Sequence, residues 1–527
     1  MRELSADWTK TRNLYLNWLS KNKLKNEFFK NIRYENLSVW WITSVVERDN
    51  VSDSSWYLNL HKRLNGNFFK ITKYKFFYLK FLRKFLATLI FNFLITFFYK
   101  EKFFKYKKNK KLYCFHSQKI NIQKYKKYFI DRQYGYASLK KKKQSCYLIQ
   151  LENDFNIFYN HLKFKKKLKY IPCKYYILNN YINLSDIFKV YIKVFVLFIK
   201  TLIILSKKKY FIINNIDCSI ILRPLLLKSF FGPMQDSLIY AIGARNFLKK
   251  HNYKNFLNYC EFYPSSRSFY YFLRSLKFSP KIITINHANF SHNDLFFSIK
   301  KDEFCKDINS LNFSPIPDMY FTQGIKYLKF LKKTIPYLKI YPLGSLKIEL
   351  CKLFLKSNIN IYKIKTLKKE IKKKIILILP SLADSDSIIS VLNQCNLDEF
   401  HIILKPHPNS KEQTIAKFKN KFIFNFHLHN NFNNIDLAFM SQFVIVGYTS
   451  VGLEMQLLKN NILRTYDDNF PPMFDVNDGI KVVKNPKLLQ SYLYSKLLLK
   501  NVDKKNIKKN FFYKYDKNSS NRLFKII

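Results

Sequence analysis

Acidic residues, glycine and proline are all scarce in this chain. Its 527 residues include 35 Asp and Glu against 93 Lys and Arg, which gives a formal net charge of +58. With 9 glycines, 15 prolines and a surplus of Lys, Asn, Ile, Phe and Tyr, the composition is typical of an AT-rich genome. The charge still has a physical consequence, because so cationic a surface attracts anionic lipid, nucleic acid and phosphorylated ligands.

Cys-x-x-Cys pairs are also lacking. The eight cysteines stand singly, a pattern that argues against a structural zinc site and against a disulfide framework. Reduced cysteines in an intracellular protein are the simpler interpretation. The first residues include acidic side chains and no apolar stretch, so we expect no signal peptide.

Long uncharged apolar runs are lacking too, although two shorter segments raise the question of membrane contact. Residues 85–99 carry no charge, but 15 residues are too few for an ordinary span. Residues 190–205 are apolar apart from Lys193 and Lys200, which with Lys189 fall within about 40° on a helical wheel. This segment is a helix lying in a membrane interface, a transmembrane span, or a core helix whose lysines reach water.

The length and the apolar content predict two or three domains. Apolar residues make up 48% of the chain, enough for sizeable cores and too many for a disordered protein. From about residue 211, short apolar runs alternate with helix-length segments, which is the pattern of βαβ units and parallel sheets. The expected divisions are an N-terminal α/β domain (1–345) that includes a helical basic region (about 66–210), a linker (346–374), a second α/β domain (375–502) and a basic tail (503–527).

Several apolar runs read as strands because they are short and bounded by polar or turn residues. The strand-like runs are 39–46, 218–222, 256–259, 282–285, 319–322, 340–343, 375–379, 401–404 and 443–447.

The run 401–404 leads straight into Lys405-Pro406-His407-Pro408. Polar groups just past the carboxyl end of a strand lie where open α/β sheets bind ligands. The two prolines restrict the backbone on both sides of His407 and so lower the entropic cost of holding its imidazole. A fixed histidine beside the cation of Lys405 suits an anionic phosphate leaving group. The alternative is a histidine that packs at a turn.

A second loop of this kind follows the run 443–447 and contains Thr449, Ser450, Gly452 and Glu454. Ser450 as an N-cap leaves backbone N–H groups free to meet a phosphate at the start of a helix. Glu454 then lies one turn further on the same face and is placed to accept hydrogen bonds from sugar hydroxyls. Gly452 destabilises a helix by about 1 kcal/mol relative to alanine. A glycine in the first turn despite this cost indicates that a ligand or a strand approaches the backbone closely there. The alternative is an ordinary capped helix after a strand.

Lys-Pro-His-Pro, followed by an apolar strand that ends in Thr-Ser-x-Gly-x-Glu, resembles the nucleotide-binding half of GT-B glycosyltransferases. The similar enzymes build bacterial surface polysaccharide: capsule and lipopolysaccharide O-antigen transferases, sialyl- and Kdo-type transferases, and teichoic-acid glycerophosphotransferases. The resemblance covers about residues 211–490 and extends to a subgroup of surface carbohydrate biosynthesis proteins. Further segments that fit are Asn286-His287-Ala288, Phe321-Thr322-Gln323-Gly324, Pro342-Leu343-Gly344-Ser345, Trp40-Trp41-Ile42-Thr43-Ser44 with Glu47-Arg48, and Glu261 with Ser266-Arg267.

The resemblance implies an α/β fold of two Rossmann-like domains facing a central cleft, with a helical, basic N-terminal extension or insertion. It implies a metal-independent glycosyltransferase without a cofactor, whose donor is a CMP-, CDP- or UDP-linked sugar and whose acceptor is a surface polysaccharide or lipid-linked glycan. It also implies a cytoplasmic protein, peripheral on the anionic inner face of the cytoplasmic membrane, with no specific nucleic-acid partner. The residues implied in donor binding are Lys405, His407, Thr449, Ser450, Gly452 and Glu454.

The sequence leaves the catalytic base open. His407 is the catalytic candidate on the donor side, and the base must come from the other side of the cleft. Ala288 stands where the family usually has glycine, which puts a close backbone approach at that turn in doubt. The candidates for the base are His287, Glu261, His292 and Asp294.

One Asp-x-Asp motif, Asp384-Ser385-Asp386, follows the run 375–379. Two carboxylates at this spacing could hold a divalent cation. We expect them instead to cap and charge-match the start of the next helix. GT-B enzymes generally lack a metal-binding Asp-x-Asp, so the resemblance points to transfer without a metal.

Other functions fit parts of the same pattern. A UDP-sugar 2-epimerase or a glycerophosphotransferase would share the architecture, and a degenerate scaffold without activity would keep only the fold. A non-enzymatic nucleic-acid-binding protein would use the net charge of +58 and the interleaved aromatic residues. The basic residues are spread along the chain rather than clustered on a recognisable nucleic-acid module, which argues against that last function.

Overall fold

The computed structural model contains two parallel β-sheets, a layer of N-terminal helices and two C-terminal helices. The residues that the structure describes are 2–48, 55–66, 77–98, 112–125, 128–151, 157–207, 209–259, 262–287, 295, 298, 300, 303, 305, 307, 310–354, 366–381, 384–407, 411–429, 432, 434–447, 451–456, 461–465, 481–483, 485–495, 504–514 and 516–527.

The strands are short, and most belong to the two large sheets. In chain order they are β1 (Arg33–Tyr34), β2 (Leu37–Ser38), β3 (Tyr113–Gln118), β4 (Ile122–Tyr125), β5 (Tyr128–Asp131), β6 (Ser145–Gln150), β7 (Lys174–Ile177), β8 (Ile212–Ile213), β9 (Ile216–Asp217), β10 (Asn255–Asn258), β11 (Lys281–Ile285), β12 (Met319–Thr322), β13 (Lys339–Pro342), β14 (Lys374–Leu379), β15 (Phe400–Leu404), β16 (Phe426–His427), β17 (Phe443–Val446), β18 (Ile462–Thr465) and β19 (Lys481–Val483).

Helices cover the sheets and form the N-terminal layer. The α-helices are Arg2–Lys21, Lys23–Asn31, Ser44–Glu47, Ser55–Leu64, Phe77–Phe98, Ala137–Lys140, Ile157–Leu168, Leu184–Lys207, Ser219–Lys228, Pro233–His251, Pro264–Arg274, Ile325–Thr334, Leu346–Phe354, Ser385–Leu392, Lys411–Lys421, Asn434–Met440, Val451–Gln456, Pro486–Tyr494, Lys504–Phe512 and Ser519–Ile526, with 3₁₀ helices at Val39–Ile42, Lys119–Asn121 and Leu178–Tyr181. Within the described residues, none of these helices has the length and apolar character needed to cross a membrane.

The first sheet has seven parallel strands in the order β13-β12-β11-β10-β3-β6-β7. The chain runs outward from β3 through β6 to β7, and later places β10 on the other side of β3. The loops that follow β3 and β10 therefore diverge and leave a crevice at the carboxyl ends of these strands.

The second sheet has six parallel strands in the order β16-β15-β14-β17-β18-β19. Here the direction of strand addition reverses between β14 and β17. All residues of β14 except Lys374 are buried, as expected for a parallel strand covered on both faces. This sheet has its own crevice beside the end of β14.

These two sheets confirm the predicted fold class, an α/β chain with two Rossmann-like domains and a helical N-terminal extension. One buried cluster joins them, because Tyr320 of β12 belongs to the same cluster as Leu379 of β14 and Val446 of β17.

Most of the predicted strands of the two sheets are present. The runs 256–259, 282–285, 319–322 and 340–343 correspond to β10, β11, β12 and β13, and the runs 375–379, 401–404 and 443–447 correspond to β14, β15 and β17.

Two strand predictions were wrong. The run 39–46 forms the 3₁₀ helix Val39–Ile42 and the helix Ser44–Glu47, and the run 218–222 lies at the start of the helix Ser219–Lys228. Both Trp40 and Trp41 are buried within the N-terminal layer. A segment that is apolar on every side has no periodicity by which a helix and a strand can be told apart.

The region 66–210, expected to be helical and basic, supplies more than that. It contains the helices Phe77–Phe98 and Leu184–Lys207, which hold most of the apolar segments 85–99 and 190–205. It also contributes β3, β6 and β7 to the first sheet. The prediction for this region was therefore incomplete.

The residues of the predicted tail form two helices that return to the first sheet. Phe524 meets Tyr113 of β3 with ring centroids 5.1 Å apart, and Leu523 is buried in the same cluster. The hydroxyl and backbone N–H of Ser520 donate hydrogen bonds of 2.7 and 2.9 Å to the carboxylate of Glu349. The end of the chain is thus part of the first domain's packing.

Candidate functional site

The two loops singled out in the sequence leave neighbouring strands. β14 pairs with β15 on one side and with β17 on the other, with Ile378 opposite Leu404 and Leu379 opposite Val446. The segment that follows β15 and the segment that follows β17 therefore begin on either side of the same crevice, at the point where ligands bind in open α/β sheets.

His407 lies half-buried at the end of the first loop. Burial lowers the pKa of its imidazole, and the positive charge of Arg132 lowers it further. Arg132 follows β5 in the first domain, so this electrostatic effect acts between the two domains. The neutral imidazole favoured by this environment keeps one N–H donor.

Lys405 is held by backbone groups. Its Nζ donates a 3.0 Å hydrogen bond to the carbonyl of Phe432, and its backbone N–H donates to Ile378. Burial lowers the pKa of its ammonium group, and the charge of Lys411 lowers it further. Lys405 was predicted to support the charge of a donor phosphate; in this structure its contacts tie the loop to the neighbouring segment.

Asp384 packs against Gly447 at the start of the second loop. The carboxylate is buried, and its Oδ1 accepts a 2.8 Å hydrogen bond from the backbone N–H of Ser381. A Cβ on Gly447 would lie 2.4 Å from the Asp384 Cγ, so only glycine leaves room for this contact. Asp384 is the N-cap residue of the next helix, although its side chain makes no capping bond there.

Asp386, the other carboxylate of the Asp-x-Asp motif, points to a different partner. It forms ion pairs with Lys417 at 2.5 Å and Lys421 at 2.8 Å, and these bonds lower the pKa of its carboxyl group. The two carboxylates of the motif thus serve separate contacts. Across the described part of the chain, no group of three His, Cys, Asp or Glu side chains is placed to hold a metal ion.

The helix Val451–Gln456 begins directly after the second loop, and Gly452 is buried in its first turn. Thr449 and Ser450 lie outside the described residues. Glu454 is only 12% exposed, and its two carboxylate oxygens accept hydrogen bonds of 2.9 and 2.8 Å from Lys347 Nζ.

Lys347 stands at the start of the helix Leu346–Phe354, which follows β13 of the first sheet. Its ion pair with Glu454 therefore joins a helix at the carboxyl end of one sheet to a helix at the carboxyl end of the other. The two crevices face each other across this contact.

A hydrogen-bonded network lines the first sheet's side of the cleft. The hydroxyl of Tyr259, just after β10, accepts 2.8 Å bonds from the Gln118 backbone N–H and from Asn121 Nδ2. Arg132 Nε donates a 3.0 Å bond to Asn121 Oδ1. The ring of His287 lies 6.4 Å from that of Tyr259. The network holds Arg132 and His287 near the same tyrosine, and the charge of Arg132 acts on His407 of the second domain.

Among the predicted bases, only His287 is described. It is half-buried and follows β11 by two residues. Glu261, His292 and Asp294 lie outside the described residues. Arg132 was missed by sequence reasoning, because it lies in the region 66–210, where no motif marks it.

Two segments that were singled out in the sequence, the one around Trp41 and Arg48 and the one around Arg267, meet in a buried cluster. The guanidinium of Arg267 lies 5.6 Å from the ring of Trp41, and its Nε donates a 2.8 Å bond to the carbonyl of Phe262. Burial and the nearby charge of Arg48 lower the pKa of Arg267 to about 9. Arg48 itself forms a fully buried ion pair with Glu303. Through this cluster the N-terminal layer packs against the helix Pro264–Arg274 of the first domain.

A buried histidine lies under the crevice of the first sheet. His116 of β3 has Nδ1 3.3 Å from Asn258 Oδ1 and Nε2 3.0 Å from Gln150 Oε1. Burial lowers the pKa of His116 to about 4, although these hydrogen bonds oppose the change. The folded protein therefore holds this imidazole neutral, whereas the unfolded chain protonates it near its ordinary pKa of 6.5.

This difference predicts a loss of stability in mild acid. The contribution of His116 is complete above about pH 6.5 and is lost as the pH falls toward 4, because protons then favour the unfolded chain. The free energy of unfolding should fall by about 3 kcal/mol more in the natural protein than in His116→Gln over this range. Denaturant titrations of both proteins at several pH values measure it.

The comparison with His116→Gln separates this effect from groups that titrate in the same range, such as Asp131, whose pKa burial raises to about 6. Parallel curves of unfolding free energy against pH for the two proteins would show that His116 does not carry the acid sensitivity.

Comparison with known proteins gives structural matches alone. No protein-family model matches the chain, and no curated protein sequence matches it. The UDP-GlcNAc 2-epimerase from Neisseria meningitidis bound to UDP-GlcNAc aligns with a TM-score of 0.47 and 12% identity, over 79% of this chain and 98% of that one. The UDP-GlcNAc 2-epimerase from Methanocaldococcus jannaschii, in complex with UDP-GlcNAc and UDP, aligns with a TM-score of 0.46, 12% identity and the same coverage.

The wall teichoic acid polymerase TagF, in a variant soaked with CDPG, aligns over 84% of this chain and 96% of that one, with a TM-score of 0.41 and 12% identity. Identities and TM-scores of this size do not assign the chain to a family.

Proposed function

We propose that this protein is a glycosyltransferase that moves a sugar from a nucleotide-sugar donor to a surface polysaccharide or lipid-linked glycan acceptor, without a metal ion. The observation that carries the proposal is that the Lys405–His407 segment and the segment after Gly447 leave the two strands that flank β14. Such a crevice, beside a half-buried histidine and the start of a helix, suits the phosphates of a nucleotide.

In the proposed reaction the bond between the sugar's anomeric carbon and the donor phosphate oxygen breaks, and its electron pair leaves with the phosphate. The acceptor hydroxyl oxygen forms the new bond to that carbon and gives its proton to a base. His287 is the base that we propose, because it lies on the side of the cleft away from the donor loops. His407 would donate a hydrogen bond to the leaving phosphate, and the charge of Arg132 would stabilise it.

Glu454 keeps its predicted role as a partner of ribose or donor sugar hydroxyls. A carboxylate has about four acceptor positions, so it can accept from a hydroxyl while it remains paired with Lys347. Thr449 and Ser450 are proposed to bind the donor phosphates, and buried Gly452 to let the helix start approach them.

A thermal-shift screen against CMP, CDP, UDP and GDP tests the proposal. A nucleotide that binds the folded protein alone raises its unfolding free energy by mass action, by about 2.7 kcal/mol at a concentration a hundred times its Kd. We expect one nucleotide to give a clear increase in Tm and the others less. If none of the four changes the Tm at millimolar concentration, the crevice is not a nucleotide site and the proposal is wrong.

His407→Ala should then reduce both the Tm shift with that nucleotide and the turnover of the matching nucleotide-sugar. A donor or acid in the transition state contributes about 10² to 10⁴ in rate, so we expect a loss in that range. His427→Ala is the matched control, because His427 is an exposed histidine of the same domain. Equal turnover in both variants would remove His407 from the mechanism.

The same assay separates transfer from epimerisation. An epimerase converts the nucleotide-sugar without an acceptor, whereas a transferase requires one. Conversion of the donor sugar to its 2-epimer in the absence of an acceptor would replace the proposed activity by the epimerase alternative.

A further inference from the structure

Two neighbouring helices leave a wide apolar surface uncovered. The helix Phe77–Phe98 lies against the helix Leu184–Lys207, with the Phe85 and Tyr191 rings 4.7 Å apart and the Thr88 and Tyr191 hydroxyls 3.0 Å apart. Their exposed apolar side chains, which together we name the two-helix face, are Leu86, Ile90, Phe93, Leu184, Phe188, Ile192, Phe195, Val196, Ile199 and Ile203.

This surface is a continuous stripe. The seven members on the longer helix fall within about 120° of a helical wheel, since they recur at intervals of three and four residues. Leu86, Ile90 and Phe93 follow the same spacing on the shorter helix. Individual exposures are large, with Ile192 64% exposed and Phe93 60% exposed. Contiguous apolar surface of this extent marks an interaction site in proteins.

The opposite side of the longer helix is already buried in the first domain. Val190, Val194 and Leu197 are within 1% of complete burial and belong to the core that also holds the N-terminal layer. The uncovered stripe is therefore additional to the packing that holds the helix in place.

A row of cations borders the stripe. Lys189, Lys193 and Lys200 are all exposed and occupy an arc of about 40° directly beside the apolar arc. Lysine side chains in this position extend their ammonium groups to the level of lipid headgroups while their methylene stems cover apolar surface. An apolar stripe with a basic edge is the pattern of a helix that lies in a membrane interface.

We propose that the two-helix face docks this protein on the surface of an anionic lipid bilayer, with the apolar side chains in the headgroup and acyl boundary and the three lysines against the lipid phosphates. The charge of the chain supports a lipid partner over a second copy of itself. A symmetric pair would bring the same lysine row of two molecules of net charge +58 into one interface, whereas an anionic bilayer complements both.

Docking of this kind would hold the protein where lipid-linked acceptors are found. Only this link to the acceptor rests on the proposed function; the docking itself does not. Vesicle binding is measured without nucleotide or acceptor, so a failure of docking and a failure of transferase activity are separate results.

Co-sedimentation of the full chain with vesicles tests the proposal. We expect binding to vesicles of phosphatidylglycerol and phosphatidylethanolamine to be at least tenfold tighter than binding to phosphatidylcholine vesicles, and to weaken as salt is added. Equal binding to both vesicles, or binding to neither, would overturn the proposal.

Substitutions on the two-helix face test whether this surface is the one that binds the vesicles. Ile192→Asp combined with Phe93→Asp should weaken binding to anionic vesicles at least tenfold. Exchange of Lys189, Lys193 and Lys200 for Gln should weaken it about a hundredfold, because each lysine near an anionic surface raises the affinity about fivefold. The matched controls are Phe278→Asp with Ile423→Asp, which are 70% and 68% exposed elsewhere, and the exposed lysines Lys329, Lys332 and Lys333 changed to Gln.

Controls that lose as much affinity as the test variants would show a general charge effect and overturn the assignment of the face. Near-ultraviolet circular dichroism of each variant establishes that it is folded. Sedimentation velocity tests whether the two-helix face instead binds a second copy of the chain. If the natural protein is a dimer and the variant with Ile192→Asp and Phe93→Asp is a monomer, the face binds a second copy and the lipid proposal is wrong.

Discussion

Glu303→Ala should lower the free energy of unfolding by about 3–5 kcal/mol. Glu303 and Arg48 form an ion pair in which the side chains are 4% and 1% exposed. Removal of the carboxylate leaves the guanidinium buried without its counter-charge, at a position where Arg267 adds a second positive charge nearby. Urea or guanidinium titration followed by circular dichroism measures the change.

A matched exposed pair provides the control for this effect. Glu35 pairs with Arg245 at 2.8 Å, but its side chain is 45% exposed. Glu35→Ala should therefore cost about 1 kcal/mol or less. The double variant Arg48→Met with Glu303→Ala should recover much of the lost stability, because it removes both charges. If Glu303→Ala and Glu35→Ala cost the same, the ion pair of Arg48 does not stabilise the N-terminal layer.

Gly135→Ala is expected to have the second largest effect on stability, about 2–5 kcal/mol. Gly135 has φ of +53°, a left-handed conformation that costs a residue with a Cβ about 1–2 kcal/mol. A Cβ at this position would also lie 2.8 Å from the carbonyl carbon of Leu346 and closer still to its oxygen. Overpacking against backbone atoms adds about 1–3 kcal/mol.

Gly66→Ala is the control, because Gly66 has φ of +85° and open space around the position of its Cβ. The control retains the conformational cost of about 1–2 kcal/mol and lacks the steric cost. Since Leu346 precedes Lys347, we also expect Gly135→Ala to weaken nucleotide binding through the Lys347–Glu454 ion pair. Equal losses of stability in the two variants would show that the approach of Gly135 to Leu346 is not tightly packed.

Strands of the parallel sheets were predictable wherever a short apolar run ended in turn residues. β12, β14 and β17 are cases of this kind, because burial on both faces demands continuous apolar residues. The same rule failed for 39–46, because short helical turns that are buried contain the same apolar residue types as a buried strand. β3 and β6 were missed within an aromatic and lysine-rich region, where residues such as His116 and Gln150 interrupt the apolar pattern.

The positions of the two loops after β15 and β17 were predictable, whereas their roles in donor binding remain predictions. His407 and the helix start at Val451 follow strands that the sequence identifies, and position after a strand determines position in the crevice. The contacts across the cleft were not predictable. The ion pair of Lys347 with Glu454 forms between segments that are far apart in the sequence. The charge of Arg132 likewise acts on a histidine distant in the sequence, and no local sequence pattern marks either pair.

The return of the C-terminal helices to the first sheet has a consequence for how the protein is made. Synthesis completes the seven strands of that sheet by Pro342, but the helices that cover Tyr113 and approach Gly324 come from residues 504–527. The first domain therefore leaves the ribosome with part of its core uncovered while the whole second domain is still being translated. Chaperones that bind exposed aromatic surface would meet this face during that interval.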